Sequence, residues 1–147
     1  MLKKIVLVGA LALTAVLSGC ASEPTKEEWA AANYGGPVMS ADQLAAGWRY
    51  FVQTALIDPD SAKLQMITGG RVERTAIYKN NLPDAIKAKF NVSGNWLYVR
   101  TSDAIVNAKN RMGGYTGGIK TKLAFYGATP IGYQEFTEGS WRPWMFF

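Results

Sequence analysis

The sequence predicts an α+β domain in which one long N-terminal helix packs on an antiparallel sheet of about four to five strands. Three observations indicate this class. The 147 residues suit one domain, and 48% hydrophobic with 18% charged residues is typical of a folded chain. Apolar residues recur at helical spacing over residues 41–56, and most later segments have patterns that are typical of strands. A helix followed mainly by strands favours an α+β arrangement.

The residue inventory excludes several kinds of catalytic and metal site. The chain has no histidine and a single cysteine, which excludes histidine-based metal clusters, Ser-His-Asp and Cys-His catalysis, CxxC redox chemistry and internal disulfides. The Ser-x-x-Lys and Gly-x-Ser-x-Gly patterns of serine enzymes are absent beyond residue 19. A carboxylate enzyme would need two acids together in a cleft, and no spacing in the sequence indicates this. We therefore expect no enzyme, no metal and no cofactor.

The first residues are typical of an export signal. Lys3 and Lys4 form a short basic region, and residues 5–17 are an uncharged apolar run. This run is shorter than the roughly 20 residues that span a bilayer as a helix. We therefore predict a secretory signal and not a permanent membrane helix.

The end of the apolar run carries a more specific motif. Leu17-Ser18-Gly19-Cys20 resembles the lipobox of bacterial lipoproteins, and this resemblance covers residues 1–21. It implies cleavage between Gly19 and Cys20 by the lipoprotein signal peptidase, a diacylglyceryl group on the Cys20 sulfur and usually an acyl group on the new amino terminus. The alternative is an ordinary secretory signal with a chance cysteine. The position of the chain's one cysteine favours lipidation.

The same resemblance implies a location. Ala21 stands where inner-membrane lipoproteins of enteric-type bacteria carry aspartate, so we expect an outer-membrane lipid anchor with the domain facing the periplasm. Two or three acyl chains hold a protein stably at a membrane. Removing residues 1–19 lowers Lys+Arg from 16 to 14 against 11 acids, and the net charge from +5 to +3. This small net positive charge does not indicate nucleic-acid binding.

Residues 20–39 are predicted to be a lipidated tether and residues 40–147 to be a single domain. The tether contains few bulky apolar residues, and its Gly35-Gly36-Pro37 sequence interrupts regular secondary structure. Thr25 and Glu28 nevertheless have the spacing of a capping box, which would begin one short helix. At about 3.3 Å per extended residue, such a tether reaches roughly 60 Å from the lipid surface, or less if part of it is helical.

The long helix is predicted over residues 41–56. Ser40 and Gln43 form a second capping box before it. The apolar residues that recur at helical spacing are Leu44, Trp48, Phe51, Val52 and Ala55. Trp48 and Phe51 are compatible with a ligand-stacking pair, but aromatic residues on an amphipathic stripe lie more often in the core.

The remaining segments indicate mainly strands. Asp58 is expected to cap one helical turn that begins at Pro59, and residues 82–90 form a short helix or a loop. Strands are predicted over residues 64–68, 71–78, 96–106, 119–126 and 131–137. Residues 96–106 are rich in aromatic and β-branched side chains, which favours a central position in the sheet.

The glycine-rich loop, residues 107–118, is the most unusual segment. It contains four glycines, two asparagines and two basic residues, so its backbone N–H groups and cations are candidates for holding an anion or a sugar. The candidate contacts are Lys109, Arg111 and Tyr115. The residue order does not fit a P-loop. The favoured alternative is a hairpin connection in which glycine permits tight turning.

The C-terminal tail, residues 141–147, is concentrated in aromatic residues. If it is exposed, Trp141 and Trp144 are candidates for a partner-binding patch, because tryptophan, arginine and methionine are enriched at interface cores. The favoured alternative is that the tail packs back on the sheet and completes the core, since an exposed run this apolar promotes aggregation.

A looser pattern links two parts of the domain. Asp58-Pro-x-Ser61-Ala62, together with Asn107-Ala108-Lys109-Asn110 running into Gly113-Gly114-Tyr115-Thr116-Gly117, is similar to a pattern in small bacterial envelope lipoproteins that have no assigned biochemical role. This resemblance spans about residues 41–126 and implies that both segments belong to one compact domain. The resulting hypothesis is a non-enzymatic structural or assembly component of the cell envelope that binds an envelope protein. The alternative is a small-ligand or glycan-binding module that uses the glycine-rich loop.

Overall fold

A seven-stranded antiparallel sheet organises the described residues, 23–67 and 69–147 of this computed structural model. The strands are β1 (Lys63–Met66), β2 (Glu73–Tyr78), β3 (Trp96–Asn107), β4 (Ile119–Tyr126), β5 (Thr129–Thr137), β6 (Ser140–Trp141) and β7 (Met145–Phe146). Strand β3 is central: β1 and β2 pair with one side of it, one after the other, and β4 pairs with the other side. Strand β5 pairs with β4, and its far edge carries β6 and β7.

Three α-helices accompany the sheet in the described part of the chain, and both predicted capping boxes are present. The helices are α1 (Lys26–Ala30), α2 (Ala41–Ala55) and α3 (Asp84–Lys89). Thr25 with Glu28 begins α1, and Ser40 with Gln43 begins α2. In each box the cap hydroxyl accepts a backbone N–H and the Glu or Gln side chain accepts the N–H of the cap, so two helix-start donors are satisfied.

The α+β class is confirmed, but details of the prediction are wrong. The longest helix, α2, has 15 residues and is not N-terminal, because α1 precedes it and the turn at Gly35-Gly36 separates the two. The described residues form seven strands and not four or five, because the C-terminal tail adds β6 and β7. The helical turn predicted to begin at Pro59 is present over Pro59–Ser61, but the Asp58 side chain makes no capping hydrogen bond to it. Instead, the Ser61 hydroxyl donates to the Asp58 carbonyl oxygen at 2.8 Å.

The two faces of the sheet are covered differently, and β3 shows where the cover changes. It buries its odd-numbered side chains as far as Thr101 and its even-numbered side chains from Ser102 onward. Residues opposite each other on paired strands point to the same side, so the strand register extends these two faces across the sheet. We call the face with the even-numbered residues of β3 the helix face and the other the second face.

Helix α2 covers the helix face. The indole N–H of Trp48 donates to the Ser102 hydroxyl at 3.2 Å, and Phe51 is 1% exposed, so both aromatic residues lie in the core. A side chain at Gly47 would overlap the Phe125 ring, so the glycine lets α2 approach the sheet closely. The buried residues of this cluster are Met39, Leu44, Trp48, Phe51, Val52, Ala104, Val106, Leu123 and Phe125.

A second cluster lies on the second face where β3 begins. Its buried residues are Ile77, Leu82, Ile86, Leu97, Val99, Ala124 and Ile131. Leu82 and Ile86, the latter on α3, cover the strand residues from outside. Beyond Thr101, β3 leaves Asp103 and Ile105 half-buried on this face. The sheet therefore has a near end, where β3 begins, and a far end, where β3 runs into the glycine-rich loop and its second face is more open.

Candidate functional site

The glycine-rich loop is a closed hairpin at the far end. Lys109 and Tyr115 form an antiparallel bridge, and the Asn110 side-chain oxygen accepts the backbone N–H groups of Met112 and Gly114 at 2.9 and 3.2 Å. Gly113 has a φ of +80°, a conformation that glycine adopts without strain. The N–H groups that a sequence-based anion site would use at positions 112 and 114 are thus engaged inside the hairpin.

Tyr115 is the exposed aromatic residue of this hairpin. Its side chain is 46% exposed, and its ring centroid lies 4.8 Å from Lys63 Nζ and 5.8 Å from Lys109 Nζ, within cation–π range. Arg111 is exposed at the loop tip. The backbone N–H of Lys109 donates to the Ser61 hydroxyl at 2.8 Å, so the two segments of the looser sequence pattern are in contact.

Trp141 forms a second cation–aromatic group, on the second face. Its ring centroid lies 5.3 Å from Lys120 Nζ and 4.7 Å from Lys122 Nζ, and 5.4 Å from the ring centroid of Phe136. Phe136 is 40% exposed. The strand register places Lys120 opposite Phe136 and Phe136 opposite Trp141. We call Lys120, Lys122, Phe136 and Trp141 the cationic patch.

The charge of the cationic patch is only partly compensated. The carboxylate of Asp103 lies 3.6 Å from Lys120 Nζ. Within residues 23–67 and 69–147, no carboxylate lies at ion-pair distance from Lys122. Two ammonium groups therefore lie over one indole ring, and within the described residues Asp103 alone forms an ion pair with either of them, which leaves Lys122 without such a partner.

Trp144 has a different environment from Trp141. It packs half-buried on the second cluster beside Phe146, with ring centroids 6.5 Å apart. Strand β7 pairs with β5, so the tail returns along the sheet edge, as the favoured alternative predicted. Of the two tryptophans proposed from sequence as contacts, Trp144 contributes to the core and Trp141 belongs to the cationic patch.

The near end holds part of the predicted tether on the helix face. The ring centroids of Trp29 and Tyr34 lie 5.3 and 6.2 Å from that of Tyr98 on β3, both edge to face. Burial first, and then the charge of Glu28 and the neighbouring Tyr34, raise the pKa of Tyr98 above its ordinary value of 10.0. Helix α1 is thus attached to the sheet through Trp29.

Backbone contacts complete this attachment. Arg100 Nη1 donates to the carbonyl oxygens of Gly36 and Pro37 at 2.9 and 3.0 Å, and the guanidinium lies 4.8 Å from the Tyr34 ring centroid. The backbone N–H of Gly127 donates to the Tyr34 carbonyl oxygen at 2.6 Å. Residues 29–37 therefore follow the sheet, which shortens the stretch that is able to act as a free tether.

Sequence reasoning identified part of this chemistry. It named Lys109, Arg111, Tyr115 and Trp141. It missed Lys63, Lys120, Lys122 and Phe136. The alternation of lysines along β4 indicated a solvated face, yet no local pattern links them to a tryptophan 19 or 21 residues later. Gly19 and Cys20, the predicted cleavage and lipidation residues, lie outside the described residues.

Two further observations concern metal and membrane sites. Across the described residues, no three side chains of the histidine, cysteine, aspartate and glutamate type are grouped as metal ligands would be. None of the helices in the described chain is both long and apolar enough to cross a bilayer.

Comparisons with known proteins add no family. No protein-family model matches the chain, and neither a curated protein nor a solved structure matches it.

Proposed function

We propose that this chain is a non-enzymatic lipoprotein, anchored through Cys20 in the outer membrane and facing the periplasm, that serves as a structural or assembly component by binding another envelope protein. The observation that carries the binding part is the cationic patch. Its tryptophan and phenylalanine are of the aromatic type that is enriched in protein interfaces, and its two lysines give it a positive charge that a partner of opposite charge would complement.

The anchoring part of the proposal rests on the Leu17–Cys20 motif of the sequence. Intact-mass measurement of the membrane-extracted protein tests it: we expect a chain that begins at Cys20 and carries the mass of two or three acyl chains. Cys20→Ala is the control and should leave the protein unprocessed and without lipid. A mature chain that begins at Cys20 without added lipid mass would contradict the proposal.

The attachment at the near end supports a short connection to the lipid. Even at full extension, the five residues from Cys20 to Thr25 could span no more than about 17 Å, and the helical residues as far as Trp29 add about 6 Å. The domain would therefore lie within about 23 Å of the membrane, well below the roughly 60 Å that a fully extended tether allows. A domain held close to the membrane suits a structural or assembly component of the envelope.

Crosslinking in native membranes, followed by purification of the lipoprotein, tests the binding part. We expect the wild-type protein to be recovered with one stoichiometric envelope protein, and Trp141→Ala to lose most of it. Tyr115→Ala is the matched control, since it removes an aromatic ring that also lies beside two lysines but outside the cationic patch. A wild-type protein that is recovered without any stable partner would count against the proposed function.

A second candidate function is a small-ligand or glycan-binding module at the glycine-rich loop. The observation that favours it is the exposed Tyr115 ring, flanked by Lys63 and Lys109 and close in sequence to Arg111. Thermal-shift measurements against muropeptides and anionic sugars test it, with Tyr115→Ala as the variant that should lose the response. No shift with any of these ligands would contradict it.

A further inference from the structure

We infer that the partner contributes an acidic protein segment that binds across the cationic patch, with apolar side chains on Phe136 and Trp141 and carboxylates on Lys120 and Lys122. This inference rests on the proposed function and specifies the chemistry of its partner. It follows from the strand register, the charge balance and the position of the patch relative to the near end.

The strand register aligns the patch with a longer row of side chains. One row runs across five strands of the second face and contains Gln65, Ile105, Lys120, Phe136 and Trp141. The adjacent row contains Asp103, Lys122 and Gln134. With neighbouring strands about 4.8 Å apart, the first row is about 19 Å long. An extended segment of about six residues covers that length.

The charges along these rows favour an acidic occupant. Lys120 and Lys122 carry positive charge, and Gln65 and Gln134 are neutral. Asp103 lies opposite Lys122 in the strand register but forms its ion pair with Lys120. Charge complementarity across an interface guides encounter and suppresses wrong partners. A carboxylate of the partner would supply the ion pair that Lys122 does not form within the described part of this chain.

The shape and composition of the patch favour a protein segment over a sugar. Small-molecule sites are concave, whereas this surface is one face of a sheet. Phe136, at 40% exposure, and the half-buried Ile105 offer apolar contacts that suit aliphatic side chains.

The position of the patch favours a periplasmic partner over the lipid surface. The chain that leads to the anchor leaves the domain near Trp29, which contacts Tyr98 on the helix face. Ile105, level with the patch, is seven residues further along β3, which is about 23 Å. The patch therefore lies on the opposite face and toward the far end, away from the point at which the anchor brings the domain to the membrane.

Binding of a defined peptide to the full mature lipoprotein in detergent micelles tests the inference. The probe is a labelled synthetic peptide that alternates Glu with Leu and Ser, and its counterpart has Gln at every Glu. We expect the Glu peptide to bind at least about tenfold more tightly than the Gln peptide, and Lys120→Gln/Lys122→Gln to remove that preference. Lys26→Gln/Lys89→Gln, on exposed residues of α1 and α3, is the matched control with the same change in charge and should stay within about twofold.

Three results would overturn the inference. These are equal binding of the two peptides, equal loss in both double lysine variants, and stronger binding to vesicles that contain anionic lipid or to an anionic glycan than to the Glu peptide. Cooperative melting of each variant distinguishes lost binding from lost folding. If the native envelope partner is still recovered with Lys120→Gln/Lys122→Gln at wild-type yield, the acidic-segment inference fails while the proposed function stands.

Discussion

The near end and the far end use the same pairing of a cation with an aromatic ring for different purposes. At the near end, the Arg100 guanidinium lies against the Tyr34 ring and donates hydrogen bonds to two backbone carbonyl oxygens. At the far end, Lys122 lies over Trp141 with no carboxylate partner in the described chain. The first arrangement holds a segment of the chain, and the second leaves a positive charge available to another molecule.

This difference predicts that equivalent changes at the two ends affect different properties. Near-end substitutions should lower the free energy of unfolding, because they break contacts within the chain. Far-end substitutions in the cationic patch should change binding with a smaller effect on stability, since exposed charges contribute little to folding.

Replacing Gly127 with alanine should have the largest effect. Gly127 is buried and has a φ of +61°, and a Cβ there would lie 2.7 Å from the Gly35 carbonyl oxygen. Strain in this left-handed conformation costs roughly 1–2 kcal/mol, and the contact with the backbone oxygen adds to it, so we expect a loss of about 3 kcal/mol. Urea unfolding of the purified protein measures the change.

Gly113→Ala is the matched far-end control. Gly113 also has a positive φ, of +80°, but a Cβ at this position would meet nothing within 4 Å. We expect only the conformational cost, about 1 kcal/mol. Equal losses for the two variants would show that the near-end contact does not constrain the chain, and the contrast between the ends would fail.

Replacing Arg100 with methionine should have an intermediate effect. Methionine keeps an apolar stem but removes both donors to the carbonyls of Gly36 and Pro37. Because Arg100 is only half-buried, we expect a loss of about 1–2 kcal/mol and faster tryptic cleavage at Lys26 as the N-terminal segment loosens. Denaturant unfolding and mass analysis of the digest measure the two effects.

Arg142→Met provides the comparison at the other end of the sheet. Arg142 Nε donates to the Thr137 hydroxyl at 2.7 Å, but the residue is exposed. We expect a change of about 0.5 kcal/mol or less and no change in cleavage at Lys26. If Arg142→Met loosened the N-terminal segment as Arg100→Met does, attachment through Arg100 would be the wrong explanation.

Local sequence signals predicted the elements but not their attachment. Both capping boxes and the 3.6-residue pattern of α2 involve residues a few positions apart, and the strand predicted over residues 119–126 agrees with β4. By contrast, residues 29–37 attach to the sheet through the rings of Trp29 and Tyr34 and through backbone carbonyl oxygens. Such contacts produce no periodic pattern in the sequence, so the sequence of this segment predicted a free tether.

The cationic patch could not be predicted for a related reason. Its lysines and Trp141 meet only because β4, β5 and β6 pair in one register, and that register includes a shift between Ala124 and Phe125. A slip of one residue moves a side chain to the other face of a sheet. Composition therefore showed that lysines and tryptophans exist, while the long-range pairing decides which of them face each other.

The smallest effect is expected from the pH dependence of near-end stability. The pKa of Tyr98 is raised above 10.0, mainly by burial and further by Glu28 and Tyr34, so the folded state keeps this proton at a pH where the unfolded chain loses it. The unfolded state then binds fewer protons, and the free energy of unfolding falls as pH rises above about 10.

Tyr98→Phe should remove this part of the pH dependence. Tyr133→Phe should remove a separate part, because the pKa of Tyr133 is also raised, by burial and by Glu135. Unfolding measured from pH 9 upward separates these contributions from lysine titration, because the lysines are common to all variants. An unchanged slope in Tyr98→Phe would mean that α1 does not hold this tyrosine in a protected site, and that the near end is looser than the contacts of Trp29 and Tyr34 indicate.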